Sequence, residues 1–316
     1  MKIFITGITG FVGNRLASVL IERGYEIGGL ARNISSYDRP SIEEQLSGVN
    51  LFYGDVTDYH SIEKALSRFQ PDVIVHLASQ TSVAYSFDHP YEVINVNFMG
   101  TVYTAEAARA TVKGLKSFIW SGSVEEYGNQ KDFPIKEDAP LRAASPYGVA
   151  KIAAENYLKL LHDAYNFPVV IFRNANSYGR KYNYYFVVEH TIVQMLRREN
   201  QIRMGDPRPI RDFVYIDDLI NGYVRAIESD SDKIYGQPMN LGTRKGVSVE
   251  ELVNMIGEIT GYKGEIKWYY YPPRPCEIWK IIVDNSKAKE LLGWTPQYDL
   301  RSGLEKTVKW WSNVIK

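Results

Sequence analysis

KIFITGITGFVGNRL, residues 2–16, decides the reading of the fold. Lys2–Thr6 is apolar and rich in branched side chains, the composition of a buried strand. Gly7, Gly10 and Gly13 follow at intervals of three, and from Arg15 onward apolar residues recur at helical spacing. Glycines between a strand and a helix let the chain turn tightly. They also let backbone amides approach a pyrophosphate at the helix N-terminus. The spacing is G-x-x-G-x-x-G rather than the commoner G-x-G-x-x-G. Its place at the first strand-to-helix turn of an alternating chain points to a bound dinucleotide.

The alternation continues. Residues 26–32 (EIGGLAR), 50–56 (NLFYGDV), 72–79 (DVIVHLAS), 116–123 (KSFIWSGS) and 168–176 (PVVIFRNAN) read as further strands. Helical stretches such as 91–110 lie between most of them. The pattern predicts an α/β fold, a doubly wound parallel (Rossmann-type) sheet covered on both faces. After residue 176 the rhythm breaks into an aromatic loop (RKYNYYF), a polar loop (MGDPRPIRD) and a Pro-rich joint (YPPRP). Ser248-Val249-Glu250-Glu251 has the form of a capping box. The expected organisation is a dinucleotide-binding domain over 1–176, to which 213–242 returns. A smaller C-terminal α+β substrate lobe is expected from 177–212 and 243–316.

Composition narrows the function. The 316 residues carry 37 Lys+Arg and 37 Asp+Glu, so no global basic field gathers nucleic acid or an anionic membrane. A single cysteine, Cys276, leaves no disulfide framework or cysteine-rich zinc site and suits a reducing, cytoplasmic compartment. Histidines 60, 76, 89, 162 and 190 have no metal-ligand spacing, so no metal is expected. No apolar run approaches the ~20 residues of a membrane span, and the N-terminus has no cleavage-like site.

Two further stretches carry chemistry. The second strand ends Leu30-Ala31-Arg32-Asn33, where an NAD site usually keeps a carboxylate for the ribose 2′-hydroxyl. A guanidinium there suits a 2′-phosphate, so NADP is expected rather than NAD. In SPYGVAK (145–151), Ser145 and Pro146 start a helix, and Tyr147 and Lys151 share one face of it. A free tyrosine has a pKa of about 10. A nearby ammonium and the helix N-terminus are expected to lower it toward use as a base.

Together these features resemble the extended short-chain dehydrogenase/reductase family, in the branch that modifies nucleotide-diphosphate sugars. Finer matches lie with the GDP-mannose 4,6-dehydratase and GDP-4-keto-6-deoxymannose reductase group: QTSVAYSFDHP (80–90) and GLARNISS (29–36) resemble the dehydratase, SGSVEEYG and SPYGVAK the reductase. The resemblance implies a dinucleotide turn of Gly7, Thr9, Gly10, Phe11, Val12 and Gly13. It implies cofactor contacts from Arg32, Asn33, Asp55, Val56, Leu77, Ala78 and Ser79. Ser123, Tyr147 and Lys151 match the catalytic triad, and Asn97 matches the asparagine that supports the lysine through water. Ser82, Asn176, Val187, Arg211, Arg274 and Glu277 match substrate positions, the two arginines gripping the phosphates of a nucleotide-diphosphate sugar. The resemblance also implies a homodimer, or a tetramer, paired through the helices at 91–110 and 146–164.

The reaction expected from the resemblance is NADP-dependent 4,6-dehydration of a nucleotide-diphosphate hexose, GDP-mannose first. Tyr147 takes the C4 hydroxyl proton and Glu125 acts at C5. Residues two apart in an extended strand share a side. Ser123 and Glu125 are therefore expected to face the substrate, Val124 to point away and Glu126 to face solvent. Val124 stands where dTDP-glucose dehydratases carry an aspartate. The alternatives are a 4-keto-6-deoxyhexose reductase, a 4-epimerase and, in another class, a non-catalytic dinucleotide-sensing protein.

Overall fold

In the computed structural model, which describes residues 1–32, 46–180, 184–229 and 232–315, the opening strand β1 (Lys2–Thr6) lies inside a seven-stranded sheet. Its side chains alternate between faces. Ile3 and Ile5 enter one hydrophobic core and Phe4 enters another on the opposite side. Such two-sided burial is what makes a parallel strand continuously apolar. Helix α1 (Phe11–Glu22) follows the glycine turn, then β2 (Glu26–Ala31), β3 (Asn50–Tyr53), α2 (Tyr59–Phe69) and β4 (Val73–His76).

Two short helices, α3 (Val83–Asp88) and α4 (Pro90–Ile94), precede a π-helical turn, Asn95–Met99, and α5 (Gly100–Thr111). The single helix expected over 91–110 is therefore interrupted, a feature that often marks functional positions. Strand β5 (Ser117–Ser123), helix α6 (Pro146–Tyr165) and β6 (Val169–Asn174) complete the alternating run. The stretch expected as one strand over 168–176 splits. Its end, β7 (Asn176–Tyr178), leaves the main sheet for a second one.

Beyond it come α7 (Val187–Leu196), β8 (Gln201–Arg203), β9 (Ile210–Tyr215), α8 (Ile216–Ile227), β10 (Pro238–Leu241), β11 (Gly246–Ser248), α9 (Val249–Thr260), β12 (Glu265–Lys267), α10 (Ser286–Leu292) and α11 (Leu300–Val314). The main sheet runs β10-β6-β5-β4-β1-β2-β3, each neighbouring pair parallel. β10 is a strand that the hydrophobic pattern did not reveal. Of the segment expected to return over 213–242, α8 packs on α1 and β10 joins the main sheet, while β9 pairs with β7 and β11 in the second sheet. A third core, including Tyr178, Ile192, Phe213, Leu252 and Trp311, fills the smaller lobe.

The chain turns one way from β1 to β2 and the other way from β1 to β4. The gap between β1 and β4 at their C-terminal ends is thus a switch point, the place where open α/β sheets bind ligands. Among the described residues, no helix is long and apolar enough to cross a membrane, and no group of three metal-ligating side chains stands together.

Candidate active site

The glycine turn occupies the switch point. Gly7 has φ +69°, and a Cβ there would stand 2.8 Å from the Ala78 amide nitrogen. One at Gly13 would stand 2.2 Å from the Gly7 carbonyl oxygen. Only glycine permits this closeness. Helix α1 begins at Gly10 with no side-chain cap and no acidic residue in its first turn, so its leading amides remain available to an anion. The Asn14 side-chain Nδ2 is buried nearby in sequence without a hydrogen-bond partner. This donor set fits a pyrophosphate, with Thr9, Phe11 and Val12 in the same turn.

The opposite wall is held by Thr6. Its hydroxyl receives the Ala78 amide at 3.2 Å and meets His76 Nδ1 at 2.8 Å. His76 Nε2 meets the Thr101 hydroxyl at 3.2 Å, and that hydroxyl donates to the Asn97 carbonyl at 2.7 Å. Burial, aided by the Lys151 charge, pushes His76 down to about 3, so the ring is neutral. This chain of bonds fixes Leu77, Ala78 and Ser79 against the turn. The Asn97 side chain takes the Ser79 hydroxyl (3.0 Å) and Gln80 amide (2.7 Å) and donates to the Gln80 carbonyl (3.0 Å). The π-helical turn aims its amide at that loop. Thr6 was missed in the sequence. A hydroxyl ending an apolar strand was its only signal.

Arg32 is exposed at the end of β2, and Asn33 lies outside the described residues. Asp55 closes its own turn, one oxygen accepting from the Thr57 amide and hydroxyl at 2.8 Å each. Val56 is buried against Gly100.

The chemistry gathers at the end of β5. Ser145 caps α6 through the Gly148 amide at 3.1 Å. Tyr147 and Lys151, one turn apart, are both buried facing β5. The Lys151 ammonium donates to the Ser121 carbonyl at 2.7 Å, and Ser123 is near enough to lower the Tyr147 hydroxyl. Two expectations are corrected here. Tyr147 is not lowered. Burial pushes its hydroxyl well above the ordinary tyrosine value, Ser123 pulls the other way, and Glu125 and Glu126 add to the rise. Lys151 is itself pulled down to about 8 by burial, with Glu126 opposing.

The second correction concerns the strand end. β5 stops at Ser123, and Val124–Glu126 form a 3-10 turn capped by the Ser123 hydroxyl on the Glu125 amide at 3.2 Å. Alternation of sides therefore does not apply. Val124 is buried in the main core beside Tyr127 and Ile135. Glu126, expected in solvent, is fully buried, and its carboxylate accepts from the Ser123 amide at 2.7 Å. Glu125 is buried as well. Burial raises its carboxyl, Arg211 and Arg274 pull it down, and Glu277 pushes it up.

That influence joins the strand end to the smaller lobe. Arg211 on β9 meets Glu277 at 2.7 Å, and Arg274 reaches the same oxygen at 3.6 Å. Two guanidiniums share one carboxylate, leaving net positive charge suited to phosphates. The Asn176 amide oxygen is buried without a partner. Val187 opens α7, and Ser82 caps α3 through the Tyr85 amide at 3.2 Å. Arg180, not anticipated, spans the lobes: its guanidinium lies over Phe11 at 4.7 Å and Phe186 at 3.8 Å and pairs with Glu189.

Comparison with known proteins agrees with this arrangement. Residues 4–307 match the family described as GDP-mannose 4,6 dehydratase. The chain is 33% identical over 320 residues to a UDP-glucose 4-epimerase of Mycolicibacterium smegmatis, covering 99% of each chain. It is similar to the crystal structure of a UDP-glucose 4-epimerase of Thermotoga maritima with UDP-glucose, at TM-score 0.91 and 33% identity over 100% of both chains. It is also similar to a UDP-glucuronic acid 4-epimerase of Bacillus cereus in complex with UDP-glucuronic acid and NAD, at TM-score 0.89 and 28% identity over 99% and 100% of the two chains.

Proposed function

The chain belongs to the GDP-mannose 4,6-dehydratase family of nucleotide-sugar modifying enzymes, and from that premise we propose that it is a 4-epimerase of a uridine-diphosphate hexose. The observation that carries this reading is the single usable carboxylate at the end of β5. A 4,6-dehydratase must take the C5 proton and protonate the leaving 6-hydroxyl. Val124 can do neither and is packed in the core. Full-length similarity to 4-epimerases supports the same conclusion.

Bound in the glycine turn, a nicotinamide dinucleotide supplies the acceptor for the C4 hydride and its return. Tyr147 exchanges the C4 hydroxyl proton, and Ser123 beside it lowers the Tyr147 hydroxyl against its burial. Lys151, still an ammonium below its value of about 8, supplies positive charge 5.8 Å from the Tyr147 ring centre. Arg211 and Arg274 hold the diphosphate, with Glu277 keeping both guanidiniums in place. The unpartnered oxygen of Asn176 accepts from the sugar. The lobes divide this work, 1–176 with α8 and β10 holding the cofactor and the remainder holding the substrate.

Proton NMR of UDP-glucose and UDP-galactose incubated with the protein in D2O tests the reading. Interconversion without deuterium at C5 is expected. Conversion of GDP-mannose to a 4-keto-6-deoxy sugar, with deuterium at C5, would overturn it. That second reading, the 4,6-dehydratase, is favoured by one observation: Glu125 is a buried carboxyl with a raised pKa beside the phosphate-binding arginines. Under it Glu125→Gln abolishes turnover.

A further inference from the structure

Beneath Ser123 lies a charged cluster that the reaction above does not use. Glu126, Glu155 on α6 and Arg173 on β6 are all buried. Arg173 commits every nitrogen. Nε and one terminal nitrogen bind Glu155 at 2.8 and 2.6 Å, and the other donates to the Tyr127 hydroxyl at 2.8 Å and the Glu137 carbonyl at 3.0 Å. Lys159 adds a bond to Glu155 at 2.5 Å. Glu126 therefore stays 3.9 Å from Arg173, with one oxygen on the Ser123 amide and the other buried without a partner.

The backbone makes room for this carboxyl. A Cβ on Gly122 would stand 2.8 Å from the Glu126 oxygen that holds Ser123. Helix α6 also presses on the turn, since a Cβ on Gly148 would stand 3.0 Å from the Glu125 carbonyl oxygen. An apolar side chain at 126 would fill the space without touching the Ser123 amide.

We propose that Glu126 is the positioning residue of the active site, its carboxyl group fixing Ser123 and the Glu125 turn against the helix that carries Tyr147 and Lys151. The proposal rests on Ser123, Tyr147 and Lys151 being the reacting set. Glu126 does not touch substrate. It holds the backbone amide of Ser123, whose side chain lowers the Tyr147 hydroxyl. Burial and the neighbouring Glu155 charge raise its carboxyl well above the usual range, opposed by Arg173 and the Ser123 amide, while Glu155, against its burial, is held down to about 2 by Arg173 and Lys159. Ionised, Glu126 would disfavour tyrosinate and hold Lys151 protonated.

The test compares Glu126→Ala with Glu126→Gln, which keeps an oxygen for the Ser123 amide. Glu126→Ala is expected to lose about 10²-fold in kcat, the scale of a misplaced catalytic group, with KM for the nucleotide sugar changed less than about threefold. Glu126→Gln is expected to recover most of that loss and to move the alkaline limb of the pH–rate profile downward, because the charge that helps hold Lys151 protonated is gone. Hydrogen exchange of residues 117–128 reads the bond without turnover: faster in Glu126→Ala, close to wild type in Glu126→Gln. Full kcat with an unchanged pH profile in Glu126→Ala would overturn the proposal, as would unchanged exchange. Should Glu126→Ala not fold, the profile and exchange of Glu126→Gln decide. Inactivity of Tyr147→Phe alongside normal Glu126 variants would leave the reacting set standing and remove only the role of Glu126.

Discussion

Ser123-Val124-Glu125-Glu126 and Ser248-Val249-Glu250-Glu251 are the same four residues in the same order, and both close a capping box. Their surroundings set opposite chemistry. Glu251 is exposed, and the Ser248 amide and hydroxyl lower its carboxyl, whereas burial raises that of Glu126. The exposed box is a local device. Ser248→Ala is expected to cost about 1 kcal/mol in urea unfolding. The second box was legible in the sequence because a helical pattern follows it. The first was hidden by the apolar strand before it, which invited an extended reading through Glu126. Tyr147 and Lys151 were legible from spacing, but the direction of the Tyr147 shift was not, since burial is a property of the assembled site. Tyr147→Phe should lower kcat by about 10²–10⁴ with an unchanged circular dichroism spectrum. At the cofactor, fluorescence titration of NADP and NAD against wild type and Arg32→Asp tests the expectation drawn from β2, which requires the variant to lose affinity for NADP and not for NAD. Wild type binding NAD more tightly would reverse the assignment made from β2, and the Bacillus cereus relative was solved with NAD.

At the scale of elements, β1, β4 and α5 are joined by the neutral His76 ring. Its folded value, about 3, lies below the ordinary value of 6.5. Between those two values the unfolded chain binds a proton that the folded one refuses. Stability is therefore complete above about pH 6.5 and falls as the pH is lowered toward 3. The full shift corresponds to about 3–5 kcal/mol. A pH series of urea unfolding should find a steep acid limb in the wild type and a shallower one in His76→Gln. The strands of this region were readable because burial on both faces makes them continuously apolar. The π-helical turn at Asn95–Met99 was not, because its register answers to the Ser79–Gln80 loop rather than to its own side chains.

Across the whole molecule, the doubly wound sheet was implied by the alternation of strands and helices through residue 176, yet the path of the chain after it was not. β7 and β11, three residues each, are too short to declare themselves by pattern. The surface of α4 and α6 exposes Tyr91, Ile94, Val149, Leu160 and Tyr165. Apolar groups grouped on adjacent helices favour association with a second copy. Light scattering at micromolar concentration should give a dimer for the wild type and a monomer for the double variant Val149→Glu, Leu160→Lys. A wild-type monomer would sink that assembly.

Strand β10 comes late in the chain and caps the edge of β6. Translation delivers β6 first, then β7, α7, β8, β9 and α8, and only afterwards its partner. Throughout that interval VVIFRN presents an unpaired apolar rim, a template for pairing with any other nascent chain. A ribosome that pauses before β10 has left its exit tunnel would thus hold a nearly complete sheet in its stickiest state, whereas one that pauses later would hold a closed one. Synonymous codons, silent in the finished protein, acquire a consequence there: slow decoding while β10 is still inside the tunnel should lower soluble yield, and slow decoding near the end of the chain, once β10 has emerged, should not.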